Sequence, residues 1–454
     1  MSRLPRRTCL AWMAGAALPL RAQPAAAGVT AFVDVRLLPM DERPRLLEGQ
    51  TLLVRAGRIE AIGPGLPVPE GALRIEGQGR LCLSPALADM HMHSDSAEDM
   101  AVYLSHGVTT ALNMGGARSR FLQRTLPALN EGRLPGPRVH AAFTVDGVPD
   151  HGHFQLRTPA QAEALVELAQ LNGYRFIKAY NGLAPEVFAA LAQACRRRGL
   201  PLLGHGVSRV RLARQLEAGQ VLVAHLEEFF YTFFAAPGEA QTDTPPDDAR
   251  IPAAVALLRA HPGAAVVADL VTYEAIAAQI GRPERLAEWL ADPAAATLAP
   301  ADRLAWRASP YVAKNARLQA RLAFLGRLAR ALAEAGVPLL AGTDSPTIAG
   351  LFPGLSLHRN LRLLERAGLS RWQALASATR EPGLFLSRQL GEPPAGQLLP
   401  GARADLILSE ASPLDDLSTL ERPLGVMAGG RWFDAAALAA LRRGVAERYR
   451  AVAA

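Results

Sequence analysis

The chain has 454 residues, half of them apolar and a fifth charged, with a formal net charge of +7. These values describe a soluble globular protein rather than a disordered one, too long for one small core, so one large domain and an accessory one are expected. Only Lys178 and Lys314 are lysine among 49 Lys plus Arg, and no basic block suggests a nucleic-acid partner or a membrane surface.

Residues 1–27 read as an export signal. Arg3, Arg6 and Arg7 precede an apolar run from Leu10 to Leu20 and then small residues, and the Arg6-Arg7-Thr8-Cys9-Leu10 stretch suggests the twin-arginine route. The run is too short for a membrane span, so the mature protein is expected in the periplasm or secreted, without a stable span. Removing Arg3, Arg6, Arg7 and Arg21 brings the formal charge from +7 to +3. Cys9 leaves with the signal. Cys82 and Cys195 then remain, which permits one disulfide but makes no framework, and both read as buried thiols.

Residues 28–84 alternate short apolar strands with turns (FVDVRLL, TLLVRAGRIEAIG, ALRIEGQGRLCLS), as in hairpins of a small β-sheet. Over 85–385 the pattern becomes strand, loop, helix. Strands are expected at ALADMHMH, TTALNM, RVHAAFTV, FIKAY, LPLLGHG, VLVAHL, AAVVADLVTY and VPLLAGTD, with helical stretches between most of them. Eight such repeats predict a (β/α)8 barrel in an α/β fold. Over 386–454, GQLLPGARADLILSE and GVMAGGRWFD return to short strands that complete the first sheet, so a small β-sandwich domain is built from both chain ends. A final helix is expected from about Ala435 to Val452.

Chemistry in such a barrel sits at the C-terminal ends of its strands. His91 and His93 end strand 1, and alternation along a strand points both the same way, with Met92 opposite. His205 ends strand 5, His225 strand 6 and Asp344 strand 8. Each alone is as well explained by a hydrogen-bonded core histidine or a turn-capping aspartate; five at one rim are not independent. Lys178 ends strand 4. A desolvated lysine amine can become neutral and nucleophilic, which arginine cannot, and a neutral amine can take up carbon dioxide as a carbamate, an oxygen ligand able to bridge two metals. The competing reading is a lysine paired with an acid inside the barrel. Lys314, in an apparently helical stretch, reads as a solvated charge.

With these residues in hand, LSPALADMHMHSD, HGVTTALNMGG, GPRVHAAF, FIKAYNGL, LPLLGHGV, AGQVLVAHLEE, AGTDSP, AGLSRWQALASATREPG and GQLLPGARADLILSEASPL resemble the metal-dependent amidohydrolase superfamily, near its secreted prolidase and imidazolonepropionase-like members. The resemblance implies a distorted barrel beside a β-sandwich, and a divalent-metal site. His91, His93 and Asp344 would hold the more buried metal, His205 and His225 the more exposed one, with carboxylated Lys178 as the bridge. Two zinc ions suit this set, and manganese, iron or cobalt are open to it. The implied reaction is hydrolysis of a carbon–nitrogen bond in an amide, dipeptide or N-acyl amino acid by a metal-bridging hydroxide, with Asp344 as proton shuttle.

Alternatives stay open. One is opening of a cyclic amide, imidazolone or lactone ring. Deamination fits less well, because HGVSRV carries Ser208 and no acid before Glu217 where the attacked ring would need a proton. A noncatalytic exported binding protein is the remaining class. The partner is then a small-molecule substrate, and a homo-oligomer is open. Candidate substrate contacts are His151 and His153 in the loop DHGHFQL, Tyr180, Tyr231 and His358, whereas His106, His140 and His261 read as structural. Phe229, Phe230 and Phe233 could wall the site or pack a helix on the barrel. Asn360 stands where relatives often carry an acid, which puts recognition of a substrate amine there in doubt.

Overall fold

The computed structural model describes residues 28–236, 239 and 242–453, so the expected export signal lies outside the described residues. The first sheet opens with β1 (Thr30–Leu37), β2 (Leu47–Arg55) and β3 (Arg58–Pro64). β2 and β3 form the expected hairpin around Ala56 and Gly57. Both turn residues have positive φ, 48° and 77°, as a two-residue turn between twisted strands requires.

β4 (Leu73–Glu76) and β5 (Cys82–Pro85) depart from the hairpins read in the sequence, because both run parallel to β1. They are two pieces of one return pass. The break between them lies opposite an irregularity in β1, where a Cβ on Gly77 would come within 2.5 Å of the Asp34 carbonyl oxygen.

The second sheet closes on itself. Its strands are β6 (Leu87–Met92), β7 (Val108–Asn113), β8 (Arg138–Asp146) with the short β9 (Phe154–Gln155) beside it, β10 (Phe176–Ala179), β11 (Leu202–Gly204), β12 (Gln220–Val223), β13 (Ala265–Val267) and β14 (Leu339–Leu340). Successive barrel strands pair in parallel. The circle is completed where the Met90 N–H donates to the Ala341 carbonyl at 2.9 Å and Met92 bridges Ser345.

Strand 7 is shorter than its apolar run suggests: it stops at Val267, and Leu270–Gln279 is helix. Leu270, Val271 and Tyr273 are all buried, and a short apolar run buried on every side carries no period that separates strand from helix. The helix expected around Lys314 begins only at Gln319.

The chain then returns to the first sheet through β15 (Leu406–Ser409), β16 (Gly425–Ala428) and β17 (Arg431–Asp434), giving the order β17-β16-β15-β5-β1-β2-β3 with β4 beside β1. Phe32, Leu52, Leu83, Leu406 and Met427 pack there, and Trp432 meets Phe32 edge-on at 5.3 Å. The last helix, Ala435–Ala453, follows at once and buries Leu438, Leu441 and Val445 in the main core. Cys82 and Cys195 are free buried thiols.

Inside the barrel an apolar layer includes Phe176, Leu203, Leu222, Val267 and Leu340, and Phe385 stacks on Phe176 at 6.1 Å. Residues two apart share a strand face. Lys178 therefore follows Phe176, His205 follows Leu203 and Asp269 follows Val267 on the inner face, so the apolar layer is capped by a polar one at the C-terminal rim.

Candidate metal centre

His91, Lys178, His205, His225 and Asp344 meet at that rim, with His93 beside them. Nε2 of His91 and of His93 lie 3.2 and 3.0 Å from Oδ1 of Asp344. Nζ of Lys178 lies 3.3 Å from Nε2 of His91. The His91 ring stacks on His225 at 4.3 Å, and the His205 ring stands against His225 at 4.8 Å. Potential ligand atoms of His91, His225 and Asp344 all fall within 4.8 Å of one another. His225 thus sits within ligand reach of the His91 and Asp344 pair, although the resemblance groups it with His205.

All four imidazoles are anchored through Nδ1. The Nδ1 of His91 faces the Ala224 carbonyl and that of His93 the Gly115 carbonyl, each at 3.0 Å. His205 meets Glu228 Oε1 and His225 meets Asp269 Oδ2, each at 2.5 Å. An Nδ1–H donated outward leaves the Nε2 lone pair for the centre, the arrangement that orients histidine ligands of metals.

The anchors are themselves held. The Gly206 N–H donates to Glu228 Oε2 at 2.9 Å, and a Cβ on Gly206 would come within 2.8 Å of that oxygen. On the Asp269 side, Asn360 donates to the Ala268 carbonyl at 2.8 Å and accepts from the Val271 N–H at 3.2 Å. Asn360 is therefore a brace for the end of strand 7.

Asp344 has a left-handed backbone, φ 57°, which aspartate tolerates better than most residues. Its N–H donates to the His91 carbonyl at 2.7 Å and its carbonyl accepts from the Thr347 hydroxyl at 2.6 Å. Beneath it, the Thr343 hydroxyl donates to Asp89 Oδ2 at 2.6 Å, and Ser345 meets the Tyr103 hydroxyl at 2.6 Å. Position 342 must be glycine for space, since a Cβ there would meet the His91 Cβ at 2.7 Å.

Burial sets the electrostatics. His91 and His205 are held well below the usual imidazole range by burial and then by neighbouring cationic groups, so both are neutral. Lys178 is pushed down to about 8, also by burial, against the pull of Asp344, Glu228 and Asp269. Burial opposes charge on His225 too, but Asp269 prevails and holds it up at about 10; a cation taken at Nε2 would replace that proton. The Asp344 carboxyl is raised by burial yet held well below its ordinary value by the two histidines it faces. The neutral imidazoles of His91 and His205, a carboxylate and a buried amine with no ion-pair partner among the described residues fit a divalent metal site.

At the mouth, Tyr180 lies 4.2 Å from the His205 ring and packs on His151 and His153 at 4.9 and 4.6 Å, so the second H-x-H reaches the site through that tyrosine. Tyr231, half-buried in the turn Phe230–Phe234, has the Arg321 guanidinium 5.9 Å from its ring. Phe229 and Phe230 belong to the core and Phe233 packs against it, so helix packing accounts for them.

His358 is a correction. Its Nε2 faces the His106 carbonyl at 2.9 Å and it is 2% exposed, so it is committed to tying two helices together rather than to a substrate. Glu228, Asp269 and Asp89 were not singled out by the sequence pattern. The available signal was an acid three residues after His225 and two acids inside otherwise apolar runs.

No family model and no curated sequence matches the chain. Solved structures do. The bottromycin amidohydrolase is 26% identical with TM-score 0.72, covering 95% of this chain and 92% of its own. A Xaa-Pro dipeptidase with methionine bound in its active site is 19% identical with TM-score 0.65 over 90% of this chain and 100% of its own. The A. niger ochratoxinase is 18% identical with TM-score 0.64 over 90% and 96%. The chain is similar in fold to amidohydrolases over nearly its whole length, and is a hydrolase of that kind. That class, with the His91, His225 and Asp344 cluster at the barrel rim, makes amide-bond hydrolysis the general chemistry of the site.

Proposed function

We propose that the protein is a two-metal hydrolase that cleaves the carbon–nitrogen bond of a dipeptide or N-acyl amino acid. The observation that carries this reading is the shared orientation of His91, His93, His205 and His225, each tied back through Nδ1 and leaving Nε2 for the centre. Those four, with Lys178 and Asp344, would hold the ions, zinc being the best match to nitrogen and carboxylate donors. When bound, such ions supply Lewis acidity and make water a nucleophile near neutral pH.

The residues do the rest. Lys178, buried and with a depressed pKa, is suited to carboxylation: the ammonium loses one proton to give the neutral amine, which forms a nitrogen–carbon bond to carbon dioxide and sheds a second, so a cation becomes an anionic oxygen donor. Asp344 is ionised and fixed by its own backbone, so one carboxylate oxygen can accept a proton from the attacking water and return it to the leaving nitrogen. Tyr180, with His151 and His153 behind it, lies where a substrate carbonyl or carboxylate would enter. Tyr231 would line the wall after strand 6. The sequence further supports export by the twin-arginine route, with hydrolysis carried out in the periplasm or outside the cell.

Metal analysis of the mature protein, paired with a hydrolysis screen over dipeptides, N-acyl amino acids, lactones and cyclic amides, tests the reading. Two metals per chain with turnover of the linear amides supports it. Turnover of cyclic substrates alone would transfer the assignment to ring opening, and a metal-free protein inactive on all four would end it.

A further inference from the structure

The opposite end of the barrel holds a cavity of about 260 Å³ that the hydrolytic site does not use. Its wall is drawn from three parts of the fold: Thr110, Arg138 and His140 near the starts of β7 and β8, Arg58 at the β2–β3 turn, and the return segment carrying Glu392 and Arg403. A second cavity of about 400 Å³ adjoins it and shares Arg138 and Arg403. With about 30 Å³ per liquid water, the first has room for roughly eight or nine waters, or for a small ion with part of its hydration.

Its charge is unbalanced, with three guanidiniums lining it against the single carboxylate of Glu392. The hydrogen bonds these arginines make within the protein leave donors over. Arg58 gives one to the Gly401 carbonyl at 2.9 Å, and Arg138 is paired with Glu392 at 2.9 Å. Arg403 holds Asp405 through Nε, and through Nη2 reaches the Thr110 hydroxyl at 2.6 Å. A guanidinium has five N–H donors, so each of the three keeps some uncommitted.

His140 supplies the independent sign. It is 3% exposed, and its ring has no hydrogen-bond partner among the described residues, yet neither ring nitrogen is sealed from solvent and the residue forms part of the cavity wall. The ring's polar atoms are left to water in the cavity or to a ligand that displaces it. Burial, and after it Arg138, Arg403 and Arg175, hold this imidazole down at about 3. The ring is neutral and lies in a positive field, where it can donate one N–H to an anion.

We propose that this cavity is an oxyanion site, taking a small tetrahedral anion of the phosphate class between Arg58, Arg138 and Arg403, with His140 as a further contact. Low-dielectric walls and an excess of one charge sign concentrate counter-ions, and the planar guanidinium fork matches phosphate oxygens. Because the wall joins the first sheet to the barrel floor, a bound anion ties the two together. It would stabilise the fold without entering the hydrolytic site at the other end of the strands.

Thermal unfolding of the mature protein in inorganic phosphate, against chloride at equal ionic strength, tests this. Phosphate should raise Tm saturably, by about 3 °C or more, as a ligand bound only to the folded state does. In protein with 13C-labelled histidine rings, the one signal missing from His140→Gln should move with the same phosphate midpoint. Arg138→Gln and the exposed Arg58→Gln should each raise that midpoint about tenfold, the size of one lost charge-assisted contact. If Arg138→Gln does not fold, Arg58→Gln carries the comparison. A Tm no higher in phosphate than in chloride overturns the proposal. So does a midpoint unchanged in Arg58→Gln, or a His140 signal that stays still while phosphate binds elsewhere.

Discussion

At the rim, His91 is fully buried and Lys178, His225 and Asp269 are at most 4% exposed, so groups that could carry charge occupy the places where a barrel would gain most from apolar packing. In the sheet made from the chain ends, the matching interior places are held by Phe32, Leu52, Leu83 and Leu406, and ions such as Arg55 and Glu60 stay outside. One region converts burial into stability. The other converts it into neutral imidazoles at His91 and His205, a depressed lysine and an oriented carboxylate, at a cost in desolvation that the rest of the fold must offset. The comparison makes function and stability separable by mutation.

The largest effect should come from Asp344→Asn. The amide keeps an oxygen for a metal but cannot carry a proton, so kcat should fall by about 10² to 10⁴ while metal content stays near wild type. Steady-state kinetics with metal analysis on the same sample would show this, and near-normal turnover would mean that another group moves the proton. In the sheet, Phe32→Ala should cost about 3 to 5 kcal/mol of stability, because it removes a buried ring and opens a cavity beside Trp432. Denaturant titration reads that loss, and kcat per folded molecule should not change. A large drop in kcat would show that the two regions are coupled.

The carboxylates behind the histidines come next. Asp269→Asn and Glu228→Gln remove the partners of His225 and His205, and each should weaken metal affinity or activity about 10- to 100-fold. Competition with a chelator of known affinity separates that from unfolding. The smallest effect belongs to the sheet surface. Arg55→Ala breaks an exposed pair with Glu60 at 3.1 Å and should shift stability by less than about 1 kcal/mol.

Much of this was legible in the sequence, for a definite reason. Ligand-type residues at strand ends are read from strand order alone, so His91, His93, Lys178, His205, His225 and Asp344 could be assigned to one rim before any contact was known. Their anchors could not. Glu228 follows Glu227 in a segment that reads equally well as a solvated turn, and Asp269 lies inside an apolar run whose strand and helix portions look alike. His358 misled because its partner, the His106 carbonyl, is 252 residues away in the chain, and nothing local fixes where the ring points. The parallel course of β4 and β5 was hidden for a related reason. Turn residues report that the chain bends, not which strand it comes back to.

The account stands most directly on Lys178, buried, without a carboxylate ion pair among the described residues, and 3.3 Å from His91. The deciding measurement is metal stoichiometry, with turnover, of Lys178→Arg and Lys178→Ala. A carboxylated lysine predicts that arginine, although it keeps the charge, loses metal and activity as fully as alanine does, and that a short carboxylic acid partly restores both in the alanine variant. A Lys178→Arg protein that holds two metals and turns over at the wild-type rate would contradict it.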